Sequence, residues 1–585
     1  MKRLIDLHRV VLNDQLRSIG IDARKDELTL VSRWEREGDS LLHTFLPSML
    51  AVFDRALGDS ELPVTFFPRW KRGKGVMPLF LGGVTSRIFS PDGQLLEDPD
   101  WDAIRALRQI LGLCGKLFEL PSDLMVEASL GQYVETDKAI SKASWHGTPL
   151  AGDLARQGLR LWSNVTRLDY DNLVMRHGPG AVAEKLSSNG KYANRTWTER
   201  LERVFPSSDH LIPSYRYYRE LEEEGLLPPG AEPPLRVVCV PKTTKAARVI
   251  GIEPSFMMYA QQGIAELLVP RLCRHSVTDI RDQTPNQEFA RLGSIDSSLA
   301  TIDLSEASDR VSVPLVKRVF GYDPVFLDHI LAARSTKALL PSGEIILLRK
   351  FASMGSALTF PIETMVFMTI IALGVSRALG VATVSLKQLE QYRCRAYGDD
   401  LIVPSFAATE VVSLLSFFGL VVNQSKSFLE GSFRESCGKE YFRGKDVSFV
   451  KLRRRIPTTR QHVEELISFV AFRNLYREKY GPLDGVSAID ETITAIIPFP
   501  LGNETTPGLV RVNREVGEDL YSLHKRLHRP RVKAMVPTYK VRPDPLEGSS
   551  ALLKVLTTPF NEDPDHLNSA GRPVSASLKY RWVLV

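Results

Sequence analysis

The stretch Tyr397-Gly398-Asp399-Asp400 limits this chain more than any other: two adjacent carboxylates in a glycine-containing turn. Short apolar runs flank it, Cys394-Arg395-Ala396 before and Leu401-Ile402-Val403 after. That pattern predicts a β-hairpin whose tip presents acids instead of neutral turn residues. Like charges side by side repel, so such a tip makes sense beneath a cation. Two divalent ions about 3.5–4 Å apart, clamping the oxygens of a phosphoryl transfer, would need this kind of site. A plain solvated turn would also use Gly-Asp, so the rest of the chain has to decide.

A chain of 585 residues exceeds what one core supports, and several subdomains are expected. Its 43% hydrophobic and 25% charged content predicts a soluble globular protein. The net charge of +6 is mildly basic, and its distribution says more than its size. Arg236, Lys242, Lys245 and Arg248 fall in a stretch without acids, and Arg443 to Arg460 holds seven basic residues against Asp446 alone. A third patch runs through Lys525, Arg526, Arg529, Arg531 and Lys533. Clustered positive charge of this kind attracts a phosphate backbone, although any one patch could equally be a solvated face. The five scattered cysteines contain no CxxC pair, which suggests neither zinc nor disulfides and fits a reducing cytoplasm. The early charges of Met1-Lys2-Arg3 speak against a signal peptide. The apolar run from Phe360 to Val375 is interrupted by Glu363 and reads as a buried helix.

The first 230 or so residues are dominated by helix-compatible stretches such as Trp101 to Leu117. The breaker cluster Leu227-Pro228-Pro229-Gly230-Ala231-Glu232-Pro233-Pro234 marks a boundary, and Leu235 to Val240 then reads as a strand. Short strands alternate with helices to about residue 450. A helix is expected from His462 to Arg477, and the tail from Arg529 onward reads as partly extended.

A second acidic position, Asp303, ends the apolar run Leu299 to Leu304. An acid at the end of a core strand is costly unless it is paired or metal-bound. Capping the next helix is the competing account. If its strand lies beside the hairpin, Asp303 and Asp399 can converge on the same ions, and Mg²⁺ needs few protein ligands. Ser353-Met354-Gly355-Ser356-Ala357-Leu358-Thr359 opens a helix with small residues, either to admit a ligand or as an ordinary cap. The basic strand–loop–strand from Val240 to Ile250 could wrap a triphosphate, with Arg248 as a two-pronged clamp and Lys242 and Lys245 as point charges. Lys426, in Asn423-Gln424-Ser425-Lys426-Ser427, could donate a proton to a leaving pyrophosphate.

The order of these pieces (basic loop, Asp303 strand, Gly355 loop-helix, acidic hairpin, Lys426 turn) resembles the motif order of viral RNA-dependent RNA polymerases. The wording of Asp282-Gln283-Thr284-Pro285-Asn286-Gln287, Ser298 to Ser305 and Phe433-Arg434-Glu435-Ser436-Cys437-Gly438-Lys439 is similar to the replicase β subunit of the leviviruses, single-stranded RNA bacteriophages. The resemblance is dense from about 236 to 450. It implies an α+β right-hand polymerase with fingers, a palm of antiparallel sheet plus helices, and a thumb. Residues 1–235 would then be mainly fingers, 236–450 palm with inserted fingers elements, and 451–585 thumb and tail. The implied activity is RNA-directed RNA synthesis. Asp303 and Asp399 would bind two Mg²⁺ ions, for which Mn²⁺ could substitute, with Asp400 in support. Lys242, Lys245 and Arg248 would hold the incoming triphosphate, Gly355 and Thr359 would line the nascent pair, and Lys426 would be the general acid. Asp309 is a candidate nucleotide contact, one position beyond the usual second acid, and Glu363 stands where many viral polymerases have Asn. The family further implies work in the cytoplasm of an infected bacterium, with host elongation factors Tu and Ts and a small-subunit ribosomal protein. Two rivals are a reverse transcriptase, which also uses a Tyr-x-Asp-Asp turn, and a non-catalytic RNA-binding protein. Gly398 and the phage-like wording argue against the first, and the unexplained acids against the second.

Overall fold

The structure is a computed structural model that describes residues 3–585 apart from 69, 141–144, 187, 194–195, 244–245, 514–520, 542–547 and 558–572. It is mixed helix and sheet. The N-terminal part is helical, as its periodicity predicts, with Leu4–Ser18, Arg24–Glu37, Leu46–Asp59, Trp101–Gly112, Asp123–Ile140 and Pro149–Trp162 as its longer members. Asp100 starts one of them by accepting the N–H of Asp102 and Ala103 at 2.9 and 3.1 Å. That helix ends at Gly112, short of the expected Leu117. There the chain turns, with Gly115 and Leu117 donating to the carbonyls three residues back.

The middle of the chain carries the strands β1 (Leu235–Thr243), β2 (Ala246–Ile252), β3 (Leu299–Ser305), β4 (Lys337–Leu339), β5 (Ile345–Leu347), β6 (Arg395–Tyr397), β7 (Asp400–Pro404), β8 (Val421–Val422), β9 (Phe433–Ser436), β10 (Lys439–Phe442) and β11 (Lys445–Asp446). They form a central sheet in the order β6-β7-β3-β8, a second sheet β2-β1-β4-β5 and a small sheet β11-β10-β9. β3 is apolar on both faces and fully enclosed from Leu299 to Ile302, which is why its sequence does not alternate.

The helix Thr359–Ala378 packs against Ser405–Phe417 and the sheet strand β6, and it is buried along nearly its whole length. Among the described residues it is the one helix long and apolar enough to cross a membrane; here its apolar surface is covered by protein. Two large cores result. One gathers side chains from Trp145 to Leu420, with Leu553 added. The other joins the N-terminal helices, Leu4 to Leu117, to the segment from Phe428 to Leu578. The expected C-terminal helix is present as Val463–Tyr480. The extended tail takes the form of a long antiparallel ribbon, Pro530–Val541 paired with Pro573–Leu584.

Candidate active site

β3 and β7 run antiparallel, and their register sets Asp303 directly opposite Asp400. β6 and β7 pair tightly enough that only Gly398 and Asp399 lie between Tyr397 and its partner Asp400. The hairpin expected at 397–400 is therefore present, and it delivers its acids to the end of the strand that carries Asp303. Gly398 is required at the tip. Its φ is +57°, and a Cβ there would come within 2.3 Å of the Phe360 ring. Its N–H donates to Thr364 Oγ1 at 3.2 Å, which fastens the turn to the buried helix.

Each acid is held from behind. Asn423 donates its backbone N–H to the Asp303 carbonyl at 2.8 Å, and its side-chain Nδ2 to Asp303 Oδ2 at 2.8 Å. The Asp303 N–H donates to Ser427 Oγ at 3.1 Å. Asp400 Oδ1 accepts from the Cys437 N–H at 3.2 Å and the Ser436 hydroxyl at 3.4 Å. Beneath the hairpin, Arg395 is 1% exposed. Its Nε donates to Asn286 Oδ1 at 2.6 Å, and its remaining N–H groups reach the carbonyls of Ser276, Asp279 and Asp282. Asn286 in turn donates to the Asp400 carbonyl at 3.1 Å. The Asp282–Gln287 and Phe433–Lys439 stretches thus act as a buttress for Asp400, a role their wording alone did not reveal.

Electrostatics in the centre are those of carboxylates short of counter-charge. Asp399 is open to solvent at the turn but densely surrounded by protein. Burial and then the neighbouring Asp303 push its pKa up, while Lys426 and Arg248 pull it back. Burial and then Asp399 push Asp400 up to about 6. Lys426 Nζ stands 3.6 Å from Asp303 Oδ1 and 4.0 Å from Glu435 Oε1. Burial works against its charge, yet Glu435, Asp303, Asp400 and Asp399 outweigh burial and hold the ammonium above its usual pKa. Lys116, which no motif pointed to, feels Lys426, Lys451 and Lys242; desolvation and then those cations depress it. Only tertiary proximity reveals it.

The other expected residues fall in different surroundings. The basic hairpin forms as β1 and β2, with Val240 opposite Arg248 and both Lys242 and Arg248 exposed; Lys245 lies outside the described residues. Gly355 has φ +125°, and a Cβ on it would come within 2.2 Å of the Gly251 carbonyl, so its loop lies against β2. Gly251 N–H donates to the Met354 carbonyl at 2.9 Å. Thr359 is buried, and its hydroxyl donates to the Ser353 carbonyl at 2.8 Å. Asp309 accepts from Lys350 Nζ at 3.1 Å, and that lysine is fully buried over the Tyr133 ring, 3.4 Å from its centroid. Glu363 is buried against the hairpin, with its Oε1 3.3 Å from where a Gly398 Cβ would sit and its Oε2 without a partner. Burial, then Asp399 and Asp309, raise its pKa well above the ordinary value.

Among the described residues, no three His, Cys, Asp or Glu side chains are gathered as a ready-made metal cage. The chemistry of the donors nonetheless fits a hard divalent cation. Mg²⁺ takes one or two carboxylates and fills its octahedron with water and phosphate oxygens, and Asp303, Asp399 and Asp400 lie together at one end of the central sheet.

Residues 232–484, which hold both hairpins, Asp303 and Lys426, match the family model described as RNA replicase, beta-chain. The chain is 37% identical over 251 residues to the RNA-directed RNA polymerase subunit beta of Qbeta virus (strain MX1), covering 43% of this chain and 39% of that protein. It is also 37% identical over 211 residues to the RNA-directed RNA polymerase beta chain of Escherichia phage MS2, covering 36% of each. The chain thus spans roughly two-fifths of the length of the curated relatives it matches (39% for the Qbeta virus protein). Among solved structures, the RNA-dependent RNA polymerase of a human picorbirnavirus aligns at 12% identity with a TM-score of 0.32, over 45% of this chain and 55% of that one.

Proposed function

We propose that this protein is an RNA-directed RNA polymerase that replicates and transcribes a single-stranded RNA phage genome by nucleotidyl transfer. The observation that carries the reading is the register pairing of Asp303 with Asp400, which sets Asp399 beside them in a segment similar to phage replicase β chains. In this reading residues 236–450 are the palm with inserted fingers elements, 1–235 mainly fingers, and 451–585 the thumb and tail.

Asp303 and Asp399 would hold two Mg²⁺ ions, or Mn²⁺ in their place, and Asp400 would support them. When bound, the ions would activate the attacking 3′-hydroxyl and neutralise the departing pyrophosphate. The chain's own residues do the rest. Lys242 and Arg248 draw the triphosphate into the acidic centre, and Lys116 lies close enough to Lys426 and Lys242 to feel their charge. Lys426, kept protonated by Glu435 and Asp303, holds a proton where the pyrophosphate leaves. Asn423, Asn286 and Cys437 keep the acids in place, so alignment and charge neutralisation supply most of the barrier lowering. Template and product RNA and ribonucleoside triphosphates are its ligands. Host elongation factors Tu and Ts and a small-subunit ribosomal protein are proposed partners in the bacterial cytoplasm, testable by mass spectrometry of what co-purifies.

The decisive experiment replaces Asp399→Asn and measures ribonucleotide incorporation on an RNA template. Unchanged folding with at least about a thousandfold loss of incorporation is expected; near-normal incorporation overturns the reading. Offering deoxyribonucleotides separately excludes a reverse transcriptase. Mg²⁺-indifferent RNA binding with no product would leave a binding protein.

A further inference from the structure

The C-terminal ribbon lies outside the segment that matches the replicase family. Its register sets Lys533 opposite Trp582, Met535 opposite Tyr580 and Arg531 opposite Leu584, so these side chains share one face. The inner part of that face is anchored. Met535 is fully buried and Leu578 is 6% exposed. The Leu509 N–H donates to the Met535 carbonyl at 2.8 Å, and Arg460 Nη2 to the Leu578 carbonyl at 2.8 Å. Beyond this anchor the face turns outward: Tyr580 and Trp582 are each 48% exposed.

Cations stand over both rings. Arg531 lies 4.4 Å from the Trp582 centroid, and Lys533 lies 5.4 Å from Trp582 and 5.7 Å from Tyr580. The two sequence stretches that build this sheet, 521–541 and 573–585, contain eight lysines and arginines and no aspartate or glutamate. An exposed strand with bare aromatics invites aggregation, and here like charges guard it. Rings two residues apart on a strand are spaced by about 6.6 Å, and a base can stack on each while the cations meet the phosphates. Two paired strands that carry cations and no acids, with exposed rings between the cations, suit a polyanion with flat, apolar bases.

We propose that Tyr580, Trp582, Lys533 and Arg531 form a stacking platform for single-stranded RNA. That the RNA is template or product rests on the polymerase reading, whereas the binding itself does not.

The test uses the full chain and a labelled, unstructured oligoadenylate. Tyr580→Ala with Trp582→Ala is expected to weaken binding by about tenfold or more, because each stacked base carries roughly that much affinity. Arg531→Ala with Lys533→Ala should flatten the slope of log affinity against log salt by about 0.7 per lost phosphate contact. Incorporation on a short primed template should be unchanged in both. In the unaltered protein, photocrosslinking of bromouridine RNA should mark Tyr580 or Trp582. Affinity within about twofold of the unaltered chain, or crosslinks confined to the central segment, overturns the platform. So does full RNA affinity accompanied by loss of a protein partner. A chain that binds through the ribbon yet incorporates no nucleotide keeps the platform and sinks the polymerase reading.

Discussion

Asn423 grips Asp303 twice, with its backbone N–H on the Asp303 carbonyl and its side-chain amide on Oδ2, both at 2.8 Å. The second contact orients the carboxylate and takes one lone pair from Oδ2, leaving Oδ1 to face Lys426. On the proposed polymerase reading, Asn423→Ala should leave the fold intact and lower incorporation about 10- to 100-fold, the usual cost when a metal ligand loses the group that orients it. A Mg²⁺ titration of single-nucleotide incorporation should show a raised requirement. An unchanged titration would mean that Asp303 is oriented without Asn423.

At the hairpin tip, Gly398→Ala places a methyl group 2.3 Å from the Phe360 ring and forces a left-handed backbone on alanine. The backbone alone costs about 1–2 kcal/mol, and overlap with the ring adds to it. Thermal unfolding should report the loss of stability and primer extension a loss of activity. Adding Phe360→Ala should restore part of the stability but not all, because the φ of +57° is unaffected by the second change.

Asp309 and Lys350 form a buried ion pair, and Asp137 lies 4.0 Å from the same ammonium. Lys350→Ala leaves Asp309 without its cation, while Asp137 keeps Arg349 at 3.7 Å; breaking a buried pair from one side costs about 3–5 kcal/mol. A large fall in Tm is expected. Lys350→Ala combined with Asp309→Asn should recover much of it. Full incorporation by the refolded double variant would assign Asp309 to the scaffold and not to the nucleotide.

The stability of the protein should also depend on pH through Asp14, which is buried against Tyr476 and Gly485. Burial pushes its pKa up to about 6, against hydrogen bonds from the Gly485 N–H and the Tyr476 hydroxyl. The folded state then holds a proton between roughly pH 4 and 6 that the unfolded chain has released, so stability falls as pH rises through that window. Asp14→Asn should raise stability by roughly 1–3 kcal/mol at pH 7.5 and by little below pH 4. Tm measured across pH checks this, and incorporation should not change.

Glu363 offers a test of protonation without titration. Because burial and the nearby Asp399 and Asp309 favour its neutral form, Glu363→Gln should keep the fold and incorporate ribonucleotides within about threefold of the unaltered protein, whereas Glu363→Ala should open a cavity behind Gly398 and cost about 2–4 kcal/mol. Unfolding curves and steady-state incorporation for the two variants decide it.

The two hairpins and the buried helix were legible because they are local. Tyr397-Gly398-Asp399-Asp400 between apolar runs is enough to dictate a two-residue turn with acids at its tip, and Val240 to Ile250 is enough to dictate a basic hairpin. The long apolar stretch after Thr359 likewise announced a buried helix. Other features depend on which surfaces meet, and no local pattern encodes that. Lys116 and Lys426 are drawn toward one centre from positions far apart in the chain, and Asn286 is a surface-type residue until Arg395 and the Asp400 carbonyl close around it. The same holds for the core shared by the first 117 residues and the segment after Phe428, and for the pairing of Lys533 with Trp582. Turn and strand propensities act over a few residues, so they can be read along the chain. Burial, register and the meeting of charges act through space, and they exist only once the chain has folded.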